Sequence, residues 1–195
     1  MDCGSGDRVD ETRTGSHCVP KAQARSSLVF LVGFMGAGKT SVGLVLSQGL
    51  SWPFEDLDDR IEAQEKRSIE EIFRDYGEAA FRRAESAALR ALLGELGSSS
   101  RIVALGGGAI VQPENARALE EAGATVVFLD APVEELFRRC QQPGRKRPLQ
   151  RDLQQFRELY HQRRPFYMAS SRCINTSGKD LEAVAAEVAC SLGLG

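Results

Sequence analysis

Gly33-Phe34-Met35-Gly36-Ala37-Gly38-Lys39-Thr40 follows the spacing G-x-x-x-x-G-K-[ST], which wraps backbone N–H groups around phosphate oxygens. The glycines let the backbone curl. Lys39 carries a positive charge on a flexible stem toward the β- and γ-phosphates. The Thr40 hydroxyl is a hard oxygen ligand for the Mg²⁺ that accompanies ATP. Gly36, Ala37, Gly38, Lys39, Thr40 and Ser41 are therefore the expected ATP-binding run, and Lys39 is also a catalytic candidate.

Asp56 and Asp58 form a second group. In extended chain, residues two apart point to the same side, so one carboxylate can face the metal while the other meets a substrate hydroxyl. A solvated acidic turn with a helix N-cap accounts for them equally well. Gly106-Gly107-Gly108 carries a backbone-entropy cost at a strand end. That favours close approach to a ligand over a plain tight turn. Arg82 falls on a predicted helix, where a solvated face is the ordinary role. Arg147 lies in a stretch of Arg, Pro and Gln with almost no apolar residue. That stretch, about 142–155, reads as a lid from which an arginine reaches the transferred phosphate. Arg163 and Arg164 precede Pro165. Several arginines on one rim suit an anionic substrate, because guanidinium grips carboxylate bidentately.

The elements that must position these residues can be read from periodicity. Leu28 to Val32 is a continuous apolar run, a buried strand leading into the glycine loop, and Thr40 to Leu50 has helical spacing. Short strands are predicted at Trp52 to Asp56, Arg101 to Leu105, Thr125 to Leu129 and Arg172 to Asn175. The segment from Asp59 to Leu96 reads as helical in two pieces: Ser68-Ile69-Glu70-Glu71 fits a capping box, Gly77 suits a C-cap, and Phe81, Ala84, Ala88, Leu92 and Leu96 line the next helix. Further helices are predicted from Pro113 to Gly123, Pro132 to Cys140 and Asp180 to Leu192. Another runs from about Leu153 to Arg164 and is stopped by Pro165. Strands alternating with helices imply an α/β fold with a parallel sheet. Ligands then bind at the carboxyl ends of the strands, where Gly33, Asp56, Gly106 and Asp130 sit.

The chain has 195 residues, 42% hydrophobic and 27% charged, enough for one domain with its own core. A net charge of −2 argues against nucleic acid and membrane surfaces as partners, and no apolar run approaches the roughly 18 residues of a membrane span. Five scattered cysteines and two histidines without a C-x-x-C pair point to free thiols in a cytoplasmic protein, not to disulfides or zinc. Residues 1–26 are polar and rich in Gly and Ser, the composition of a disordered tail, and 27–195 read as the single domain.

Six motifs in order resemble one family. Leu31 to Gly43, Asp56-Leu57-Asp58, Phe81-Arg82-Arg83-Ala84-Glu85, Leu105-Gly106-Gly107-Gly108-Ala109, Arg147-Pro148-Leu149 and Arg163-Arg164-Pro165-Phe166-Tyr167 are similar to the motifs of shikimate kinases. The resemblance implies a P-loop kinase fold of three layers, α/β/α, with a five-stranded parallel sheet of order 2-3-1-4-5. It implies transfer of the ATP γ-phosphoryl to the 3-hydroxyl of shikimate by a monomer. Asp58 would bind the substrate hydroxyls and act as base, within a substrate-binding region of about 57–87. Arg82 and Arg163 would hold the carboxylate beside Gly106, Gly107 and Gly108. Asp56 would hold Mg²⁺ through water, together with Thr40. Arg147 would be the lid arginine on ATP, Arg139 a nucleotide contact, and Lys179 would lie against the base. Ile174-Asn175-Thr176 departs from the family, which usually has Asp where Asn175 stands. Two other readings remain: a different small-molecule P-loop kinase, such as a gluconate kinase, and a nucleotide-binding regulatory module without catalysis. The first would leave Asp58, Arg82 and Arg163 without a purpose, and the second predicts loss of Lys39, Asp58 or Arg147.

Overall fold

Val29, Phe30, Leu31 and Val32 are each at most 1% exposed. Successive strand residues point to opposite faces, so this strand, Leu28–Val32 (β1), is covered on both sides, as in the middle of a parallel sheet. The computed structural model describes residues 28–95, 99–141, 152–169 and 172–194. Among them, β1, Phe54–Asp56 (β2), Arg101–Ala104 (β3), Thr125–Asp130 (β4) and Arg172–Asn175 (β5) form one parallel sheet in the order β2-β3-β1-β4-β5. This is the three-layer α/β/α arrangement and strand order expected. The register Leu28↔Arg101 and Val29↔Thr125 places β1 between β3 and β4, so the glycine loop leaves the sheet at its centre.

The helices are Lys39–Leu50 (α1), Leu57–Glu65 (α2), Ile69–Glu95 (α3), Pro113–Glu121 (α4), Val133–Cys140 (α5), Leu153–Ala169 (α6) and Leu181–Ser191 (α7). A 3-10 turn spans Ala109–Val111. α1 packs on α7, α2 on α3, and α3 on α4. The capping box forms as predicted. The Glu71 N–H donates to Ser68 Oγ at 3.2 Å, and the Ser68 N–H donates back to Glu71 Oε2 at 2.8 Å. Gly77 breaks α3 with φ 77° and ψ 174°, a backbone state that any other residue would resist.

Two expectations change. α6 does not stop at Pro165 but runs through it to Ala169. Pro165 cannot donate to the His161 carbonyl, yet side chains on both sides of it are tied to the sheet, as described below, and these ties carry the helix across. Asp56 and Asp58 are not both in extended chain. Asp56 ends β2 and caps α2, accepting from the Asp58 N–H at 3.1 Å, while Asp58 is already helical. Smaller differences follow from local bonding: β2 begins at Phe54, because Trp52 is held in the turn after α1 by Ser47. The tail 1–26, Arg147 and the greater part of the expected lid lie outside the described residues. Leu153 to Gln155, inside its expected span, belong to α6.

Candidate active site

Two half-sites meet at the carboxyl ends of β1, β2 and β3. The first is built from backbone. Gly36 has φ 83°, a left-handed state, and a Cβ there would lie 2.5 Å from the Leu136 carbonyl oxygen. Only glycine lets the loop curl while resting on α5. Gly38 is the N-cap of α1 and offers no side-chain cap. The N-terminus of the helix, with the positive end of its dipole, thus faces the loop without an intervening side chain. Lys39 Nζ folds back over this loop, donating to the Gly33 carbonyl at 3.0 Å and the Phe34 carbonyl at 3.4 Å. Thr40 Oγ1 donates to Asp56 Oδ2 at 2.7 Å. The two expected metal ligands are therefore neighbours at the start of α1, although 16 residues apart in sequence.

The second half-site is built from side chains on three helices around Gly106, Gly107 and Gly108. A Cβ on Gly106 would lie 2.9 Å from both Asp58 Oδ1 and Glu85 Oε1. A Cβ on Gly107 would lie 3.4 Å from the Gly33 carbonyl, 3.5 Å from Tyr167 Oη and 3.8 Å from Arg163 Nη1. A Cβ on Gly108 would collide with the Arg82 guanidinium. The three glycines thus form a cradle into which α2, α3 and α6 each lower a charged group. The same cradle touches the phosphate loop through Gly33.

Arg82 lies between Glu85, at 2.8 Å, and Glu78, at 3.0 Å. Glu85 is completely buried, and its Oε1 has no hydrogen-bond partner among the described residues. Burial pushes the Glu85 carboxyl above its ordinary value. The Arg82 guanidinium opposes that rise and the nearby Asp58 carboxylate adds to it. Tyr167 donates a hydrogen bond to the Gly107 carbonyl. Burial holds its phenol well above the usual range, with Arg163 pulling the other way.

Arg139, on α5, fans out beside the phosphate loop. It reaches Thr176 Oγ1 and the Thr176 carbonyl at 3.0 Å each, Glu135 at 2.7 Å, and the Gly36 carbonyl at 3.5 Å. It therefore ties the loop to the turn after β5. Lys179 is turned to Glu187 on α7. Arg164 is turned to Asp130, at the carboxyl end of β4. Lys39, Thr40, Asp56, Asp58, Arg82, Arg163 and the three glycines come together, with Arg139 at the loop's flank.

Three contributors had no assigned role in the sequence reading. Glu85 is three residues after Arg82, the spacing that places both on one helix face. Tyr167 is four after Arg163 and obeys the same rule. Asp130 is a charged residue closing an apolar strand, which burial makes costly unless it is partnered.

The family model for shikimate kinase matches residues 35–192. The chain is 38% identical over 151 residues to the shikimate kinase of Persephonella marina, covering 77% of this chain and 90% of that relative. It is 41% identical over 164 residues to the shikimate kinase of Geobacter sulfurreducens, covering 83% and 88%. Its fold is similar to that of the shikimate kinase from Acinetobacter baumannii in complex with shikimate, with a TM-score of 0.78 and 33% identity, covering 86% of this chain and 94% of the other.

Proposed function

The chain belongs to the shikimate kinase family, and on that premise we propose how its residues share the transfer of the ATP γ-phosphoryl group to the 3-hydroxyl of shikimate. The observation that carries the reading is the cradle: Asp58, Arg82 and Arg163 converge on Gly106–Gly108 beside Gly33 of the phosphate loop. A carboxylate acceptor set against ATP needs that arrangement, with cations for the acid, a base for the hydroxyl and N–H groups for the phosphates.

Arg82 and Arg163 bind the shikimate carboxylate. Asp58 accepts the proton of the attacking hydroxyl as its oxygen bonds to the γ-phosphorus. The bond from that phosphorus to the bridging oxygen breaks, and its electrons leave with ADP. Lys39, released from its loop carbonyls to the phosphates, stabilises the charge that gathers on the transferring group. Glu85 holds Arg82 at its place in the cradle.

Thr40 and Asp56 fit Mg²⁺, being hard oxygen donors only 2.7 Å apart at the phosphate loop. Among the described residues, no three His, Cys, Asp or Glu side chains cluster as a self-contained metal cage. That suits an ion that arrives with the nucleotide. Thr40 and Asp56 would hold the ion, which would supply positive charge against the phosphates. Arg147 is assigned to ATP by the family pattern alone. The side chains gathered in the two half-sites all come from one chain, in keeping with a monomer. Among the described residues, no helix is long and apolar enough to cross a membrane; the free thiols of Cys140, Cys173 and Cys190 support action in the cytoplasm.

A coupled assay with ATP, Mg²⁺ and either shikimate or gluconate tests the function. ADP release that depends on shikimate is expected. Preference for gluconate, or hydrolysis indifferent to both, would overturn it.

A further inference from the structure

Tyr160, Arg163, Arg164 and Tyr167 occupy one face of α6, at spacings of three, four and seven residues. Three of the four are fastened, two to the end of β4 and one to the turn after β3. Tyr160 Oη donates to Asp130 Oδ1 at 2.9 Å. Arg164 Nε and Nη2 donate to Asp130 Oδ2 at 3.1 and 2.9 Å. Tyr167 donates to the Gly107 carbonyl. Arg163 sits between these ties, aimed at the cradle.

Asp130 is suited to be the fixed point. It is 9% exposed and closes β4. Its Oδ1 also accepts from the Ala131 N–H at 3.0 Å, and its carbonyl accepts from the Thr176 N–H at 2.8 Å. The turn of α6 that carries Arg163 lacks the internal bond that Pro165 cannot make. The helix has one backbone bond fewer there, and its side-chain ties add to what remains.

We propose that Asp130 is a positioning residue for acceptor binding: through Arg164 and Tyr160 it fixes the rotation of α6 about its axis and so aims Arg163 into the cradle. This rests on the reading of Arg163 as a partner of the substrate carboxylate. An arginine is a long lever, and a displacement of about 1 Å at its tip is enough to spoil a bidentate pair.

Steady-state kinetics of Asp130→Asn, Arg164→Ala and Arg163→Ala, alone and combined, test it. Asp130→Asn and Arg164→Ala should each raise the shikimate KM about fivefold or more, with the ATP KM within about twofold of the parent. Arg164→Lys, which keeps a cation facing Asp130, should recover part of the loss. Combined with Arg163→Ala, neither should raise the shikimate KM further, because the aim of a missing side chain no longer matters.

A shikimate KM unchanged in both Asp130→Asn and Arg164→Ala would overturn the proposal. So would effects that multiply in the double variants, which is the mark of residues acting independently of Arg163. If Arg163→Ala itself leaves the shikimate KM unchanged, the reading of Arg163 falls first, and that failure is visible in the single variant alone. Should Asp130→Asn not fold, Arg164→Ala carries the test, since the Arg164 side chain is 40% exposed.

Discussion

The phosphate loop and the glycine cradle solve opposite problems with the same residue type. In the loop, glycine lets the backbone itself be the ligand: Gly36 adopts φ 83° against the Leu136 carbonyl, and Gly38 caps α1 without a side chain. In the cradle, glycine gives up its side chain so that Asp58, Glu85, Arg82 and Arg163 can crowd in from elsewhere. The loop is local and geometric, whereas the cradle is assembled from distant segments and is electrostatic. Damage to the first should appear in nucleotide use and damage to the second in acceptor use.

The largest test of that division is Lys39→Ala. Its charge acts on the transition state, where such contributions are worth roughly 3 kcal/mol or more, so kcat should fall by about 100-fold or more with the melting temperature nearly unchanged. A kcat within about threefold of the parent would remove the loop from the chemistry. Next, Arg82→Ala should cost about 1.5–3 kcal/mol, as for a hydrogen bond to a charged group, read as a rise in the shikimate KM. An equal rise in the ATP KM would erase the distinction between the two regions.

Gly36→Ala should act the other way, raising the ATP KM and lowering stability. A left-handed state costs other residues about 1–2 kcal/mol, and the added methyl meets the backbone of α5. Unaltered ATP affinity with a lowered melting point would show that the loop's curvature serves packing alone. Ser68→Ala sharpens the comparison from outside, since it removes a cap on the acceptor side without touching the cradle. We expect a loss of about 1 kcal/mol, or roughly 2–4 °C in melting temperature, with both KM values unchanged.

The smallest effect is a slope. Burial raises the Glu85 carboxyl above its ordinary 4.5, so the folded state holds that proton more tightly than the unfolded chain does. The resulting stability is complete below 4.5 and is lost as pH rises through the raised value. Glu85→Gln removes this loss. In denaturation across that window, the parent should lose stability relative to the variant as pH rises, and parallel curves would place Glu85 in water.

The difference between the regions also explains what could be read in advance. The phosphate loop, the strand leading into it and the Ser68 cap depend on residues within a few positions of one another. They were legible down to single residues. Glu85 was not, because an acidic residue on a helix looks solvated until the Gly106 turn, distant in sequence, closes over it. Pro165 misled for a related reason. Its local effect is to end a helix, but Asp130 and Gly107 hold α6 on either side of it. Asp56 and Asp58 were correctly placed at a rim, while their shared orientation was not, since α2 begins between them.

The bond from Tyr167 to the Gly107 carbonyl joins residues 60 positions apart, and it bears on the order in which the enzyme comes into being. During synthesis from the N-terminus, the phosphate loop and Asp58 emerge early, and the strands that flank β1 are complete by Asp130. Arg163 and the tie that seats α6 emerge only afterwards. A nascent chain therefore acquires its phosphate loop before its grip on the acceptor, and a chain cut short ahead of α6 has no complete acceptor site.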